Sequence, residues 1–127
     1  MHIQIKQFSW AEGNYMIIIA QGILNVRSLE QILIKVAAAS LARAHCKVLI
    51  DFVDASCTIV PTQIDRLFSR RWPGLYPSPS KIALVSPSDD NHHASVSDVS
   101  TCLGKHGLRV AVFRDSKAAV DWLADLV

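Results

Sequence analysis

Three consecutive large apolar residues held between two charges, Val48-Leu49-Ile50 between Lys47 and Asp51, constrain this chain more than any other stretch. Successive side chains on a strand point to opposite faces, so an unbroken apolar run reads as a strand covered on both sides, as in a parallel sheet flanked by helices. A middle strand is predicted at Lys47-Val48-Leu49-Ile50-Asp51-Phe52. In open α/β sheets, ligands and partners gather outside the carboxyl ends of the strands, which makes Val53-Asp54-Ala55-Ser56-Cys57-Thr58 the first place to look for function. That loop offers one carboxylate, two hydroxyls and a thiol, a set that specifies no reaction.

The rest of the chain supplies partners for that strand. Ile3 and Ile5 alternate with His2, Gln4 and Lys6, the period-2 pattern of a half-exposed strand at a sheet edge. Glu12-Gly13-Asn14 is expected to turn the chain into a buried strand, Tyr15-Met16-Ile17-Ile18-Ile19-Ala20, which Gly22 ends, giving an antiparallel hairpin. Ser28-Leu29-Glu30-Gln31 has the form of a capping box. The helix it opens carries Leu29, Ile32, Leu33, Val36, Ala37, Leu41 and Ala44 as its inner stripe and runs to about His45. Pro61 and Thr62 open a second helix, with Thr62 capping toward Asp65 and Ile64, Leu67, Phe68 and Trp72 facing inward. Pro73-Gly74 stops it, and Leu75 to Ser80 reads as an exposed proline-rich connection. Lys81-Ile82-Ala83-Leu84-Val85 repeats the buried-strand pattern, a polar helix follows from Asp89 to His106, and Gly107 is placed to end it. Leu108 to Phe113 makes another strand, and Asp115 or Ser116 caps a last helix with Ala119, Trp122, Leu123 and Leu126 inside.

Strand, strand, helix and then three strand–helix repeats make an α/β domain spanning residues 1–127, with a mixed, mostly parallel five-stranded sheet and four helices. At 127 residues, half of them apolar, one continuous core is expected and a second domain has no room. A net charge of +2 is too small and scattered for a nucleic-acid footprint. Cys46, Cys57 and Cys102 lack paired spacing, as free thiols in a reducing compartment do. No secretory signal leads the sequence, and the apolar run from Tyr15 to Ala20 is far short of the roughly 20 residues that cross a bilayer. A cytoplasmic protein that does not span a membrane is expected.

Taken together, the chain resembles the STAS-type fold of bacterial anti-sigma-factor antagonists, and more closely the short bacterial proteins described as SpoIIAA-like, related in fold to CRAL-TRIO lipid-carrying domains. The resemblance is carried by Gly22-Ile23-Leu24 before a long helix, by the segments 47–52 and 81–85, and by Gly107-Leu108-Arg109-Val110-Ala111-Val112-Phe113-Arg114-Asp115 leading to Ala119-Val120-Asp121-Trp122-Leu123. It implies a regulatory or interaction module, or a carrier of a small apolar ligand. Anti-sigma-factor antagonists place an Asp-Ser-Ser-Gly-like segment, with a phosphorylated serine, just ahead of the second helix. Counted from Asp51, that place falls at Ile59-Val60-Pro61-Thr62, which holds no serine or glycine. A phosphoswitch is therefore not expected, and Thr62 is read as a helix cap.

Other constellations are weak. Ser56, Asp54 and a histidine could be assembled into a triad, but no Gly-x-Ser-x-Gly elbow exposes a nucleophile. Asp89, Asp90, His92 and His93 are metal-ligating types, and Cys102 and His106 lie one helical turn apart, yet no Cys-x-x-Cys or His-Glu-x-x-His run orders them. They read as solvated residues at a helix start, where the dipole favours aspartate. Cys57 has no cation reliably beside it to lower its pKa and reads as inert. No cofactor, metal site or catalytic residue is expected. The candidate binding residues are Asp54, Ser56, Cys57, Thr58, Ser86 and Ser88, and Arg66, Arg70, Arg71 and Trp72 form a candidate face for a protein partner or a second copy of the chain. A pocket for a small apolar ligand and a hydrolase built on Ser56 are the alternatives.

Overall fold

The computed structural model describes residues 1–10, 13–42, 46–71, 81–86 and 89–124, and the side chains of these except at 7–10, 13, 14, 40–42, 70 and 71. The elements are β1 (His2–Trp10), β2 (Gly13–Leu24), α1 (Val26–Ala42), β3 (Lys47–Asp51), β4 (Ala55–Cys57), α2 (Pro61–Arg71), β5 (Lys81–Val85), α3 (Asp90–Lys105), β6 (Val110–Phe113) and α4 (Ser116–Leu123). The main sheet has the expected five strands in the order β1-β2-β3-β5-β6. β1 runs antiparallel to β2, and every other neighbour is parallel. The segments beginning at Lys47, Lys81 and Leu108 thus supply three adjacent, codirectional strands.

One addition was not visible in the sequence. The loop expected after β3 contains β4, a sixth strand, which pairs in parallel with the far end of β2 through Gly22↔Ala55, Ile23↔Ser56 and Leu24↔Cys57. β2 does not end at Gly22. It pairs with β3 as far as Ile19↔Asp51 and then passes to β4, and between those points β2 advances three residues while the partner segment advances four. Gly22 sits at this changeover with φ +107, a conformation that glycine adopts without steric penalty. At the other end of the strand, Gly13 and Asn14, expected in the turn, already belong to β2 and pair with Trp10 and Ser9. Glu12 lies outside the described residues.

The helices start where backbone donors find acceptors. α1 begins at Val26, earlier than the Ser28 capping box implied, and the capping residue is Asn25. Asn25 Oδ1 accepts the Ser28 N–H at 2.9 Å and the Ser28 hydroxyl at 3.0 Å, so Ser28 is a buried partner of the cap. Pro61 does open α2, but Thr62 is exposed within the first turn; the Val60 N–H is satisfied by Gln63 Oε1 at 3.1 Å. α3 is capped by Asp89, which accepts from the N–H groups of Asn91 and His92. It ends in a Schellman turn: Leu108 N–H donates to Leu103 O, Gly107 N–H donates to Gly104 O, and Gly107 has φ +91. Asp115 caps α4 by accepting from Ala118 N–H at 2.8 Å. The expected stop at Pro73-Gly74, the connection 75–80 and Leu126 lie outside the described residues.

The two faces of the sheet are covered unequally. On one side Ile18, Val48, Ile50, Phe52, Ile82 and Leu84 meet Leu29, Ile32 and Leu33 of α1, Ile64, Leu67 and Phe68 of α2, and Val96, Val99 and Leu103 of α3 in one cluster. On the other, Leu49, Ala83 and Val85 meet Ala119 and Leu123 of α4. Lys81, buried at the start of β5, ties α4 down: its Nζ donates to Trp122 O at 2.8 Å and lies 4.8 Å from the centroid of the Trp122 ring.

α2 and α3 are also clasped by a polar contact. His106 Nε2 lies 3.0 Å from Asp65 Oδ1, Lys105 Nζ is 3.7 Å from Asp65 Oδ2, and the His106 ring stacks on Phe68 at 4.4 Å. The hydrogen bond from His106 is the main reason the Asp65 carboxyl titrates below its ordinary value of 3.8. A carboxyl depressed in the folded state adds stability that is complete above pH 3.8 and is lost as pH falls through the lower, folded value. Asp65→Asn is therefore expected to melt at a lower temperature than the parent near neutral pH, with the two melting curves converging in acid below pH 3.8. The glycines give a second comparison. Gly104 lies in α3 with open space around its α-carbon, so Gly104→Ala is expected to stabilise by about 0.4–1 kcal/mol. Gly107 is equally open but has positive φ, so Gly107→Ala is expected to cost about 1–2 kcal/mol, both read from denaturant midpoints.

Candidate functional site

The carboxyl end of the sheet is built by the changeover of β2 from β3 to β4. Phe52, fully buried, anchors the chain as it leaves β3, with its N–H donating to Val85 O at 2.8 Å and its carbonyl accepting Ala55 N–H at 3.0 Å. Asp51 Oδ1 accepts Val53 N–H at 2.9 Å. Val53 and Asp54 thus turn outward on a backbone fixed from both sides, and Ala55 returns to the core. Gly22 N–H donates to Asp54 O at 3.1 Å and Thr58 N–H to Leu24 O at 2.9 Å, closing the β2–β4 pairing at both ends.

The side chains of that corner divide by strand alternation. Ala55 and Cys57 turn inward, whereas Ser56 is exposed beside its register partner Ile23, itself 59% exposed. Val53 and Val60 are 46% and 51% exposed on the segments that enter and leave β4. Three of the large apolar side chains left in water therefore lie on the pairing partner of β4 or on the segments that flank it, as do the exposed Asp54 and Thr62, with Ser56 on β4 itself. The Thr58 hydroxyl is occupied, donating to Leu24 O at 3.3 Å. Burial pushes the Cys57 thiol above its ordinary value, opposed by a hydrogen bond with the Ile59 backbone and reinforced by the Asp98 carboxylate. At neutral pH it is a thiol, not a thiolate.

Of the other candidates, Ser86 does not join this corner. It is 1% exposed at the end of β5, where its N–H donates to Phe113 O at 2.8 Å and its hydroxyl meets His93 Nδ1 and, at 3.4 Å, the same Phe113 carbonyl. Both hydroxyl contacts are met together when His93 Nδ1–H donates to Ser86 Oγ and the serine hydrogen turns to Phe113 O. The pair fastens the ends of β5 and β6 to the first turn of α3. Sequence reasoning read His93 as solvated, and no local pattern marks it, because its partner lies seven residues away across a helix start. A serine so deeply buried offers no surface to a substrate. Ser88 and Trp72 lie outside the described residues, as do the side chains of Arg70 and Arg71; Arg66 is exposed on α2, in continuity with Thr62.

The polar residues at the start of α3 satisfy one another. Asp89 caps the helix and lies 3.6 Å from His92 Nδ1, and Arg114 Nη2 donates to Asp90 Oδ1 at 3.2 Å. Among the described residues, no group of three histidine, cysteine, aspartate or glutamate side chains could hold a metal ion. No described helix is long and apolar enough to cross a membrane.

No protein-family model and no curated protein sequence matches the chain. Solved structures do. An uncharacterised protein of the DUF3478 family from Shewanella loihica PV-4, described as having a SpoIIAA-like fold, superimposes with a TM-score of 0.59 at 16% identity, over 95% of this chain and 93% of its own. The anti-sigma factor antagonist SpoIIAA in its unphosphorylated form superimposes with a TM-score of 0.51 at 17% identity, over 96% of this chain and 97% of its own. With the parallel core, the antiparallel first hairpin and the four helices in place, this chain has a SpoIIAA-like α/β fold.

Proposed function

We propose that the chain is a non-catalytic regulatory or protein-interaction module of the STAS-like type, working in the cytoplasm through the corner formed by β4 and the start of α2. The observation that carries this reading is the exposure of Ile23, Val53 and Val60 around a short strand whose backbone is held at both ends by hydrogen bonds. Apolar side chains on a fixed backbone present contact area at little ordering cost, and the neighbouring Asp54, Ser56 and Thr62 supply the polar rim that specific contacts need. Arg66 extends the surface along α2. In this reading the surface works without a phosphoswitch, since Ile59, Val60, Pro61 and Thr62 stand where a phosphorylatable serine would be expected.

Ligand carriage is less well supported. The described interior between the sheet and α1–α3 is filled by Ile18, Leu24, Ile32, Leu33, Ile50, Phe52, Ile64, Phe68 and Leu84 in mutual contact. A groove of about 370 Å³ that described residues line, at Gln31, Ile34 and Lys35, lies on the outer side of α1.

A photo-cross-linking residue in place of Ser56 or Thr62, expressed in the native host, is expected to trap the same protein from both positions. A probe at Lys117 on α4 is expected to trap nothing, and Ile23→Glu is expected to abolish the adduct while leaving the circular dichroism spectrum unchanged. Identical adducts from Ser56 and Lys117, or none from either corner position, would overturn the reading.

A further inference from the structure

We propose that β1 is a self-pairing edge, through which two copies of this chain join their sheets antiparallel about a two-fold axis at Gln4. This surface runs along the outer edge of β1, whose His2 end adjoins the β4 corner through the His2↔Gln21 pair, and either proposal stands if the other fails. β1 is nine residues long and pairs with β2 alone among the described residues, so no described strand occupies its outer row of N–H and C=O groups. No proline or glycine interrupts it. Such an edge accepts a strand through main-chain hydrogen bonds, and the side chains select which strand and in what register.

The occupant follows from the sequence of the edge itself. Ile3 and Ile5 pair with Ala20 and Ile18 and so share the face that α1 covers; Ile3 is packed against the core, while Ile5 is left 38% exposed. Gln4 and Lys6 take the opposite face and are exposed. In a two-fold antiparallel pair each register has one residue opposite its own copy. Centring on Lys6 sets two ammonium groups face to face, which is destabilising. Centring on Ile5 sets Ile3 against Gln7, losing the apolar pairing on that side. Centring on Gln4 places Ile3 opposite Ile5 of the second copy twice over, covering the exposed Ile5, puts the two Gln4 amides together, and moves Lys6 out to the periphery opposite His2. Centring on Ile3 also keeps the apolar pairs but shortens the shared segment by two residues. The edge is thus complementary to itself in one register better than in its neighbours, which makes a second copy of this chain its occupant.

A single cysteine at the axis tests this directly. Opposed residues of an antiparallel pair have α-carbons about 4.5–5.5 Å apart, inside the range a disulfide spans. Gln4→Cys is expected to form a disulfide-linked dimer of the full chain under mild oxidation, with His2→Cys, Lys6→Cys and the parent chain remaining monomeric on a non-reducing gel. Ile5→Lys combined with Gln4→Cys is expected to lose that dimer, whereas Ile34→Lys on α1 combined with Gln4→Cys keeps it, both variants retaining a cooperative melt. Sedimentation of the parent chain is expected to show mass rising with concentration toward two copies. A monomer at every concentration with no cross-link at position 4, or cross-linking that is equal at positions 2, 4 and 6, would overturn the proposal.

Discussion

β3 is bonded through parallel ladders on both sides, to β2 and to β5, and this double pairing fixes what the rest of the chain must do. Its side chains leave alternately on two faces, and Val48, Leu49 and Ile50 are all buried, so neither face can be left to water. Among the described residues, the face of Val48 and Ile50 is closed by α1, α2 and α3, whereas the face of Leu49 is closed by α4. The asymmetry has a chain-order cause. A right-handed crossover places each connecting helix on a side determined by the direction in which the next strand is added, and the strand order runs steadily away from β2, leaving only the last helix to return across the other face.

That arrangement explains which parts of the fold were legible. Strands covered on both faces announce themselves by composition, and 47–52 and 81–85 were read within a residue of their observed limits. α3 was legible in spite of its polar sequence because Val96, Val99 and Leu103 keep helical spacing and Gly107 marks a positive φ. β4 was not. Ala55-Ser56-Cys57 is too short for alternation to register, and what makes it a strand is the surplus length of β2, a pairing with residues 33 positions earlier in the chain. The start of α1 failed for a different reason: Ser28, with glutamine three residues on, has the form of a capping box and draws the expected start to itself. The structure uses Asn25 because Val26 joins the core cluster and draws the first turn back over it.

The candidate surface was half legible. The rule that function gathers at the carboxyl ends of strands located the segment 53–58, and the exposed residues Asp54 and Ser56 lie there. The apolar part was missed, because the sequence reading ends this strand at Gly22, whereas β2 overruns β3, turns on Gly22 and leaves Ile23 exposed beyond it. Ser86 was grouped with this surface on the grounds that it too follows a strand. Its hydroxyl instead turns toward α3, as the even-numbered positions of β5 do, and the His93 ring takes up its hydrogen-bonding capacity there. Position along a strand was readable, while the side from which the next helix approaches was not.

The overrun of β2 also separates packed from exposed positions in this fold. The corner is held by main-chain hydrogen bonds from Gly22 to Asp54 and from Thr58 to Leu24, by the β2–β4 ladder, and by the side chains of Asp51, Thr58 and Gln63, and none of these depends on the identities of Ile23, Val53, Ser56 or Val60. The core beneath is closed by Phe52, Ala55 and Ile59 from the same segment. Inward residues therefore carry the packing while outward residues stand in water, along a single stretch of chain. Surface substitutions away from packed or capped positions usually shift stability by no more than about 0.5 kcal/mol, so such a corner can change its chemistry while the sheet below keeps its shape.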